Sequence, residues 1–523
     1  MALQREISNA LSFATSKGYQ VHPDAFAMLK GLDTDILKLI QKIIKMKLKH
    51  KENSLIVVDD IKNIISPNEK FNNIDVGDNS NSGFHNSNSM ITSGINFSPS
   101  NQHPSSDMVV LDPTPHINTG EGVKGYTSLF RSRFDKSLRI LALRPNSKRI
   151  TKISSIKRRG NNIQLEKPHN NRASVINSSV IAGLLMSKRS TKTGLEMVID
   201  DDSGMLNVIA VTEELKKQAS MLTLDQMVML ELENNINRRT QNFVVRNITS
   251  PDIPDHLPNR SKSGSYAILI SDLHVGSKYF MEAQFIRFLN WLSSDNDENV
   301  AKIKFLCIGG DLIDGIGIFP NQDNEILDMN IGKQMSRAAD LLAKIPKHIR
   351  VFVIPGNHDP GRRALPQPSL PKKDSDRLYS FENFIMLGNP SLIELDGVKV
   401  LMFHGQSLDD IIATTPGLSY SKPAEAMKIL LKARHLSPIY GQRTPIAPEE
   451  EDLMVITEIP DVFHAGHVHV IDVQNYRGTL MVNSGAWQTQ TKYQQTMGIT
   501  PTPGIAILVD LATLQPYKID FTQ

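Results

Sequence analysis

The chain has 523 residues, of which 22% are Asp, Glu, Lys or Arg, and a formal net charge of +3 at pH 7. That length allows two to four domains, and the near balance of charge excludes an acidic scaffold or a basic nucleic-acid tail. No run of eighteen apolar residues occurs, Met1-Ala2-Leu3-Gln4-Arg5-Glu6 does not read as a signal peptide, and the single cysteine, Cys307, excludes an internal disulfide framework, so a reducing intracellular compartment and no membrane contact are expected.

Residues 1–66 carry helical periodicity. Ile7, Leu11, Phe13 and Ala14 recur at helix spacing, and Asp33 is placed to cap a helix bearing Ile36, Leu37, Leu39, Ile40, Ile43 and Ile44. Lysines from Lys42 to Lys51 suit the C-terminal end of that helix, as a solvated end or as a contact for DNA or a partner. Val57-Val58-Asp59-Asp60 then opens a shorter helix through Ile65. From Ser66 to about Asp112 the composition turns to Asn, Ser, Gly, Asp and Pro, which cannot bury enough surface to offset chain entropy. A disordered linker over 67–120 is expected.

Tyr126 to Leu143 is amphipathic and basic, carrying Arg131, Arg133, Lys136 and Arg139, with Arg144, Lys148, Arg149, Lys152, Lys157, Arg158 and Arg159 behind it. The helix-spaced Tyr126, Phe130 and Phe134 are expected in a core. The charges form either a solvated surface or a patch for a phosphate backbone. Five short β runs follow: Val180–Met186, Leu195–Ile199, Met205–Val211, Met227–Leu232 and Phe243–Ile248. Asp200 to Gly204 makes a hairpin turn, and Glu213–Ala219 reads as a helix between the third and fourth runs. That is the element order of an OB-fold barrel, here over 121–255 with its basic extension. Phe243 is the only aromatic residue between Val175 and Asp252, so the barrel is expected to serve structure or a partner rather than base stacking.

Beyond it, five apolar runs end on polar ligand types. Tyr266–Ile270 leads to Asp272 and His274, Phe305–Ile308 to Asp311, and Val351–Ile354 to Asn357, His358 and Asp359. Val398–Phe403 leads to His404, and Asp461–Phe463 leads through His464 to His467 and His469. The carboxyl ends of strands are where open α/β sheets bind ligands, and the neighbouring glycines allow close backbone approach. Any one of these runs could be a capped strand end; five in succession point to a site. Asp272, His274, Asp311, Asn357, His404, His467 and His469 offer oxygen and imidazole but no thiolate, a set for Mn, Fe or Zn rather than a Cys-rich structural zinc. Seven ligands exceed one tetrahedral ion and suffice for two that share a carboxylate, a clamp for in-line attack on phosphorus. Cys307, in the run before Gly309, is expected to be a buried structural thiol.

In order and spacing, Asp-x-His, Gly-Asp, Gly-Asn-His-Asp, a lone His-Gly and Gly-His-x-His resemble the calcineurin-like metallophosphoesterases, over about Ser265 to Asp510. Pairing this pattern with an OB-fold is similar to the B-subunit family of replicative DNA polymerases. The full ligand set, Pro366-Gln367-Pro368, Phe403-His404-Gly405, Ser407-Leu408-Asp409-Asp410 and Val482 to Gln488 narrow the likeness to the small-subunit family of archaeal family-D DNA polymerases. The resemblance implies an α+β multidomain chain: helical module, linker, OB-fold barrel, and a calcineurin-like α/β sandwich over 262–523. It implies a proofreading 3′–5′ DNA exonuclease with two divalent ions, Mn²⁺ by expectation and Fe, Zn or Mg as alternatives. Asp272, His274 and His469 would hold the first ion, Asn357, His404 and His467 the second, and Asp311 both. His358 would face the leaving 3′ oxygen as general acid or as a donor to the transition state. Asp359 would orient His358 or cap its loop, and Asp314 would stand behind a ligand or cap a helix. Arg362 and Arg363 would grip DNA or be a plain surface pair. His435 and His464 lie off the pattern and receive no role. The implied partners are a large catalytic polymerase subunit, DNA 3′ ends and a sliding clamp, in a cytoplasmic, nucleoid-associated setting; no polymerase motif occurs in this chain. Two alternatives stay open, a structural B-subunit that only docks and a stand-alone metallophosphatase.

Overall fold

In the computed structural model the residues described are 108–157, 178–236, 243–294 and 297–523, with scattered positions between 10 and 61. The chain divides into two units, Met1–Pro99 and Ser100–Gln523. In the first, the helix Ile36–His50 buries Ile36, Leu39, Ile40, Ile43 and Ile44 against Ala10, Leu29, Ile56 and Ile61, the stripe that a 3.6-residue period sets. Gln20–Val21 pairs in parallel with Leu55–Ile56. The expected cap Asp33, the start of the shorter helix and residues 67–107 of the expected linker lie outside the described residues.

The second unit begins inside the span expected as linker. Strand β1 (Val109–Leu111) pairs antiparallel with the strand Ser391–Leu395, and Asp112 Oδ1 accepts from the Gly388 amide at 3.0 Å. The linker expectation is therefore corrected from residue 108 onward. A three-residue apolar run found a sheet edge more than 280 residues away, a pairing no local composition reveals.

Helix α1 (Gly122–Leu141) follows, with Leu129, Arg133, Ser137 and Leu141 buried at intervals of four. Strands β2 (Ser179–Thr191), β3 (Gly194–Asp201) and β4 (Gly204–Ala210), helix α2 (Glu213–Ser220), and strands β5 (Met227–Ile236) and β6 (Phe243–Thr249) form a closed barrel in the order β2-β3-β4-β6-β5. Ile181, Leu185, Met197, Ile199, Val208, Leu230 and Val245 fill it, and Phe243 packs half-buried against them. The predicted hairpin closes on Asp201, whose Oδ1 accepts from the Ser203 and Gly204 amides at 2.7 and 3.1 Å. Thr212 caps α2 by accepting from the Leu215 amide.

The basic stretch around α1 is not one phosphate patch. Arg133 is buried and donates to Asp452 Oδ2 at 2.8 Å, to the Pro438 carbonyl at 2.6 Å and to the Asp225 carbonyl at 3.3 Å. Arg144 donates to the Asp252 carbonyl at 2.7 Å. These cations join α1 to the barrel and to the C-terminal half. Arg158 and Arg159 lie outside the described residues.

The remaining strands are β7 (Tyr266–Ile270), β8 (Ile303–Ile308), β9 (Arg350–Val353), β10 (Phe384–Met386), β11 (Ser391–Leu395), β12 (Val398–Met402), β13 (Val462–Ala465), β14 (Asp472–Tyr476), β15 (Thr479–Asn483), β16 (Ile505–Asp510) and β17 (Gln515–Asp520). They build two six-stranded sheets, β10-β9-β8-β7-β16-β17 and β14-β15-β13-β12-β11-β1. Between the sheets lie Ala267, Leu269, Phe305, Phe352, Val400, Met402 and Val482. Two-residue alternation sends Ile268, Ile270, Leu306 and Ile308 to the other face of the first sheet, against the helices Glu282–Leu292 and Ile331–Leu342. Leu401, Phe403 and Met481 meet the helices Leu408–Thr414 and Pro423–Ala433 on the outer face of the second. Cys307 lies in the inter-sheet core, and burial pushes its thiol far above the usual range, as befits a structural cysteine. The protein is thus a mixed α/β chain with a closed five-stranded barrel. Strands β7 to β10 run parallel, as do β12, β13 and β15, which sets their carboxyl ends side by side. Among the described residues no helix is long and apolar enough to cross a membrane.

Candidate metal centre

The loops leaving β7, β8, β9, β12 and β13 meet at those carboxyl ends. Asp272, His274, Asp311, His467 and His469 all take left-handed backbone angles, with φ between 52° and 69°. Each such angle costs a residue with a side chain about 1–3 kcal/mol, and clusters of them mark functional sites. The glycines beside them leave room: a side-chain carbon at Gly356 would collide with the Asp311 carboxylate, and one at Gly466 with Asp272.

Three groups of possible ligands result, one of them His274 with Asp314 and His358. Asp272, His274 and His469 form the second, and Asp311, His404 and His467 the third; within each group the ligand atoms lie within 4.8 Å of one another. His469 Nε2 is 3.3 Å from Asp272 Oδ1, and His274 Nε2 is 3.0 Å from His469 Nε2. Asn357 Oδ1 is 2.9 Å from His404 Nε2. Asp311 belongs to the third group and reaches toward His274 of the second, its Oδ2 being 3.3 Å from His404 Nε2 and 3.8 Å from His274 Nε2. All seven residues expected as ligands converge.

The imidazoles are held from behind. His274 Nδ1 donates to Asp314 Oδ1 at 3.2 Å, His404 Nδ1 to the Gly309 carbonyl at 2.8 Å, and His467 Nε2 to Asp409 Oδ2 at 3.2 Å. His469 Nδ1 pairs with the Gln494 side-chain amide at 2.7 Å. The His274, His404 and His467 rings therefore present their other nitrogen to the centre, the arrangement that orients metal-ligating histidines, whereas His469 Nδ1 accepts from Gln494 Nε2. Burial opposes charge on Asp311, but the His404, His358 and His274 rings overcome it and hold that carboxyl well below the usual range. Burial likewise opposes, and His469 and His404 outweigh, at Asp272, which falls to about 2. Burial would lower His404, yet Asp311 raises it to about 9. A buried group of anionic carboxylates and imidazoles with outer partners already in place is a donor set that fits divalent cations.

His358 is half-buried beside this set. Its Nδ1 donates to the Asp314 carbonyl at 2.7 Å, and its ring meets that of His274 edge-on at 4.6 Å between centroids. Burial pushes its pKa down to about 4. Asp359 does not orient His358. Its Oδ1 accepts from the Leu312 and Ile313 amides and its Oδ2 from the Gly356 amide, so it ties the Asp311 loop to its own. Burial and the charge of Asp311 raise its carboxyl to about 7. Nor is Arg362 free to grip DNA: it donates to Glu449 Oε1 at 2.6 Å, to Thr119 Oγ1 at 3.1 Å and to the Pro366 carbonyl. Arg363 is exposed. His435 is buried against Asp452 at 3.0 Å, and His464 against Ser484 Oγ at 3.0 Å.

Sequence reasoning did not assign Asp409, Gln488 or Gln494. Gln488 donates to Asp314 Oδ1 at 3.0 Å, completing the support of His274. Asp409 and Gln488 stand inside the stretches Ser407–Asp410 and Val482–Gln488, which drew notice for their family likeness, whereas Gln494 had no signal beyond the capping box it makes with Thr491.

A family model describing the B-subunits of DNA polymerases alpha and epsilon matches residues 267–470. The DNA polymerase II small subunit of Pyrococcus horikoshii is 36% identical over 430 residues, 79% of this chain and 66% of that protein. That of Pyrococcus furiosus is 37% identical over 79% of this chain and 67% of its own, and that of Archaeoglobus fulgidus 35% identical over 76% and 77%. The chain thus spans just under two thirds of the length of the Pyrococcus horikoshii protein. Among solved structures, an archaeal phosphodiesterase aligns with 49% of this chain and 98% of its own at 13% identity, with a TM-score of 0.26, too low to weigh. On the sequence relatives and the family model, the chain belongs to the DNA polymerase II small subunits.

Proposed function

We propose that this chain is the 3′–5′ proofreading exonuclease subunit of a replicative DNA polymerase, and that it docks a large catalytic subunit through surfaces away from the centre. The observation that carries the reading is Asp311, the carboxylate of the Asp311–His404–His467 group that also lies 3.8 Å from His274 of the Asp272–His274–His469 group, with His358 beside them. Asp272, His274 and His469 would hold one divalent ion and Asn357, His404 and His467 the other, with Asp311 shared; Mn²⁺ suits this set, with Fe, Zn or Mg as alternatives. Such a pair, when bound, lowers the pKa of a coordinated water and neutralises charge on a scissile phosphate. His358 has its Nδ1 committed to the Asp314 carbonyl and burial holds the ring neutral near pH 7, so its Nε2 would act on the leaving 3′ oxygen as an acid only after taking up a proton from water there. Asp314, Asp409, Gln488 and Gln494 fix the rings that surround it.

The barrel has the strand order and helix position of an OB-fold and a single half-buried aromatic, which supports a structural or partner-binding role for it. A subunit that only docks is the second reading, favoured by the family's description as small subunits. The test is to incubate the purified full chain with 5′-labelled single-stranded DNA, with Mn²⁺ and with chelator. Stepwise shortening from the 3′ end in Mn²⁺ alone is expected. No shortening with Mn²⁺, Mg²⁺, Zn²⁺ or Fe²⁺, alone or with the large subunit present, leaves docking as the function.

A further inference from the structure

We propose that Phe319 and Tyr493 form a stacking step for an unpaired terminal nucleobase at the mouth of the metal centre, an inference that rests on the nuclease reading above. The two rings are stacked, 5.2 Å apart between centroids and 28° from parallel, and Phe319 lies 6.3 Å from the ring of His358. Neither ring belongs to a hydrophobic core, and Tyr493 is 42% exposed. Packing alone does not account for an exposed tyrosine stacked on a half-buried phenylalanine beside a charged centre, whereas a nucleobase finds there the flat partner it stacks on.

Both rings are carried by segments that also position the centre. Phe319 sits on a loop pressed against the His358 carbonyl: Gly315 and Gly317 have φ of +68° and +71°, and a side-chain carbon at Gly315 would strike that carbonyl oxygen. Gln322 fixes the loop, accepting from the Ile318 amide at 2.8 Å and donating to the Asp314 carbonyl at 2.8 Å. Asp314 is the residue that holds His274 and His358. Tyr493 rides on the short helix Lys492–Thr496, whose Gln494 holds His469. The step is therefore in fixed register with the groups that would receive the terminal phosphate. A base must leave its pairing partner to reach the two rings, and unpairing costs least at a mismatched end, so the step favours an end whose last base is unpaired.

The experiment uses the full chain and a single strand with 2-aminopurine as its 3′-terminal nucleotide and a hydrolysis-resistant last linkage. Wild type should quench the fluorophore. Phe319→Ala and Tyr493→Ala should each abolish the quenching and weaken binding roughly 5- to 100-fold, while a strand ending in an abasic nucleotide binds all three proteins alike. Phe319→Tyr and Tyr493→Phe should restore both signals. If Phe319→Ala does not fold, the exposed Tyr493 site carries the test. Equal quenching by the alanine variants, or equal wild-type affinity for base and abasic ends, overturns the step. Shortening of an ordinary strand in Mn²⁺, run in parallel, reports the nuclease reading separately: quenching without shortening leaves the step and removes the exonuclease, and shortening without quenching does the reverse.

Discussion

Asp314 and His358 are joined through the main chain: the imidazole Nδ1 donates to the Asp314 carbonyl at 2.7 Å, while the Asp314 side chain turns to His274 at 3.2 Å. One residue thus sets two rings by two different groups. Asp314→Asn leaves the main-chain bond to His358 and weakens the side-chain hold on His274, together with the Gln488 and Gln322 bonds to the same carboxylate. Metal affinity should fall about 10- to 100-fold, the usual effect of losing an outer partner of a ligand. Titration calorimetry with Mn²⁺ checks it; unchanged affinity would mean that the Asp314 carboxylate does not hold His274 for the metal.

Asp311 reaches toward ligands of two groups and His404 belongs to one. Asp311→Asn should therefore remove hydrolysis more completely than His404→Ala and lower the bound metal from two ions toward none. Metal analysis of both proteins, beside the hydrolysis assay, gives the comparison. Equal residual activity would argue against a shared carboxylate.

Because β1 pairs with β11 and Asp112 bonds the Gly388 amide, the working fragment should begin at Met108 rather than Gly120. A chain of residues 108–523 should keep nuclease activity. One of residues 120–523 should melt at lower temperature, since it leaves β11 as an open edge. Thermal melting of the two fragments decides the boundary.

The strand ends were legible because each is local: an apolar run, a glycine and a ligand type fall within a few residues, as from Ile308 to Asp311. The barrel was legible for the same reason, its order following from runs and turns taken in sequence. What stayed hidden depends on partners far along the chain. Arg362 looks like surface until Glu449 and Thr119 close on it, and Arg133 sits in a basic stretch but is buried by Asp452, 319 residues away. Asp359 directly follows His358 yet points to the Asp311 loop, a choice made by backbone direction and not by residue type.

His435 offers a pH test away from the metal centre. Burial, aided by Arg133, pushes its pKa down to about 4 from an ordinary 6.5, against the pull of Asp452, and Lys136 also opposes its charge. The unfolded chain therefore binds a proton there that the folded chain refuses, so stability is lost as pH falls from 6.5 toward 4. Burial opposes the charge of Asp452, but His435 and Arg133 hold its carboxyl far below the usual range, adding loss of the same sign at still lower pH. His435→Asn should melt lower at pH 7.5 and show a flatter decline between pH 6.5 and 4 than wild type. Parallel melting curves would exclude His435 as the titrating group.

The central claim is that this chain hydrolyses DNA and does not merely dock a larger subunit, and His358 tests it most directly. His358→Ala leaves all seven ligands and their outer partners in place. Exonuclease rate on a mismatched 3′ end, measured on the complex with its large subunit and with metal content determined on the same sample, should fall roughly 10²- to 10⁴-fold with both ions retained and the complex intact. Undiminished removal of the mismatch by that complex would contradict the account and place proofreading in another chain.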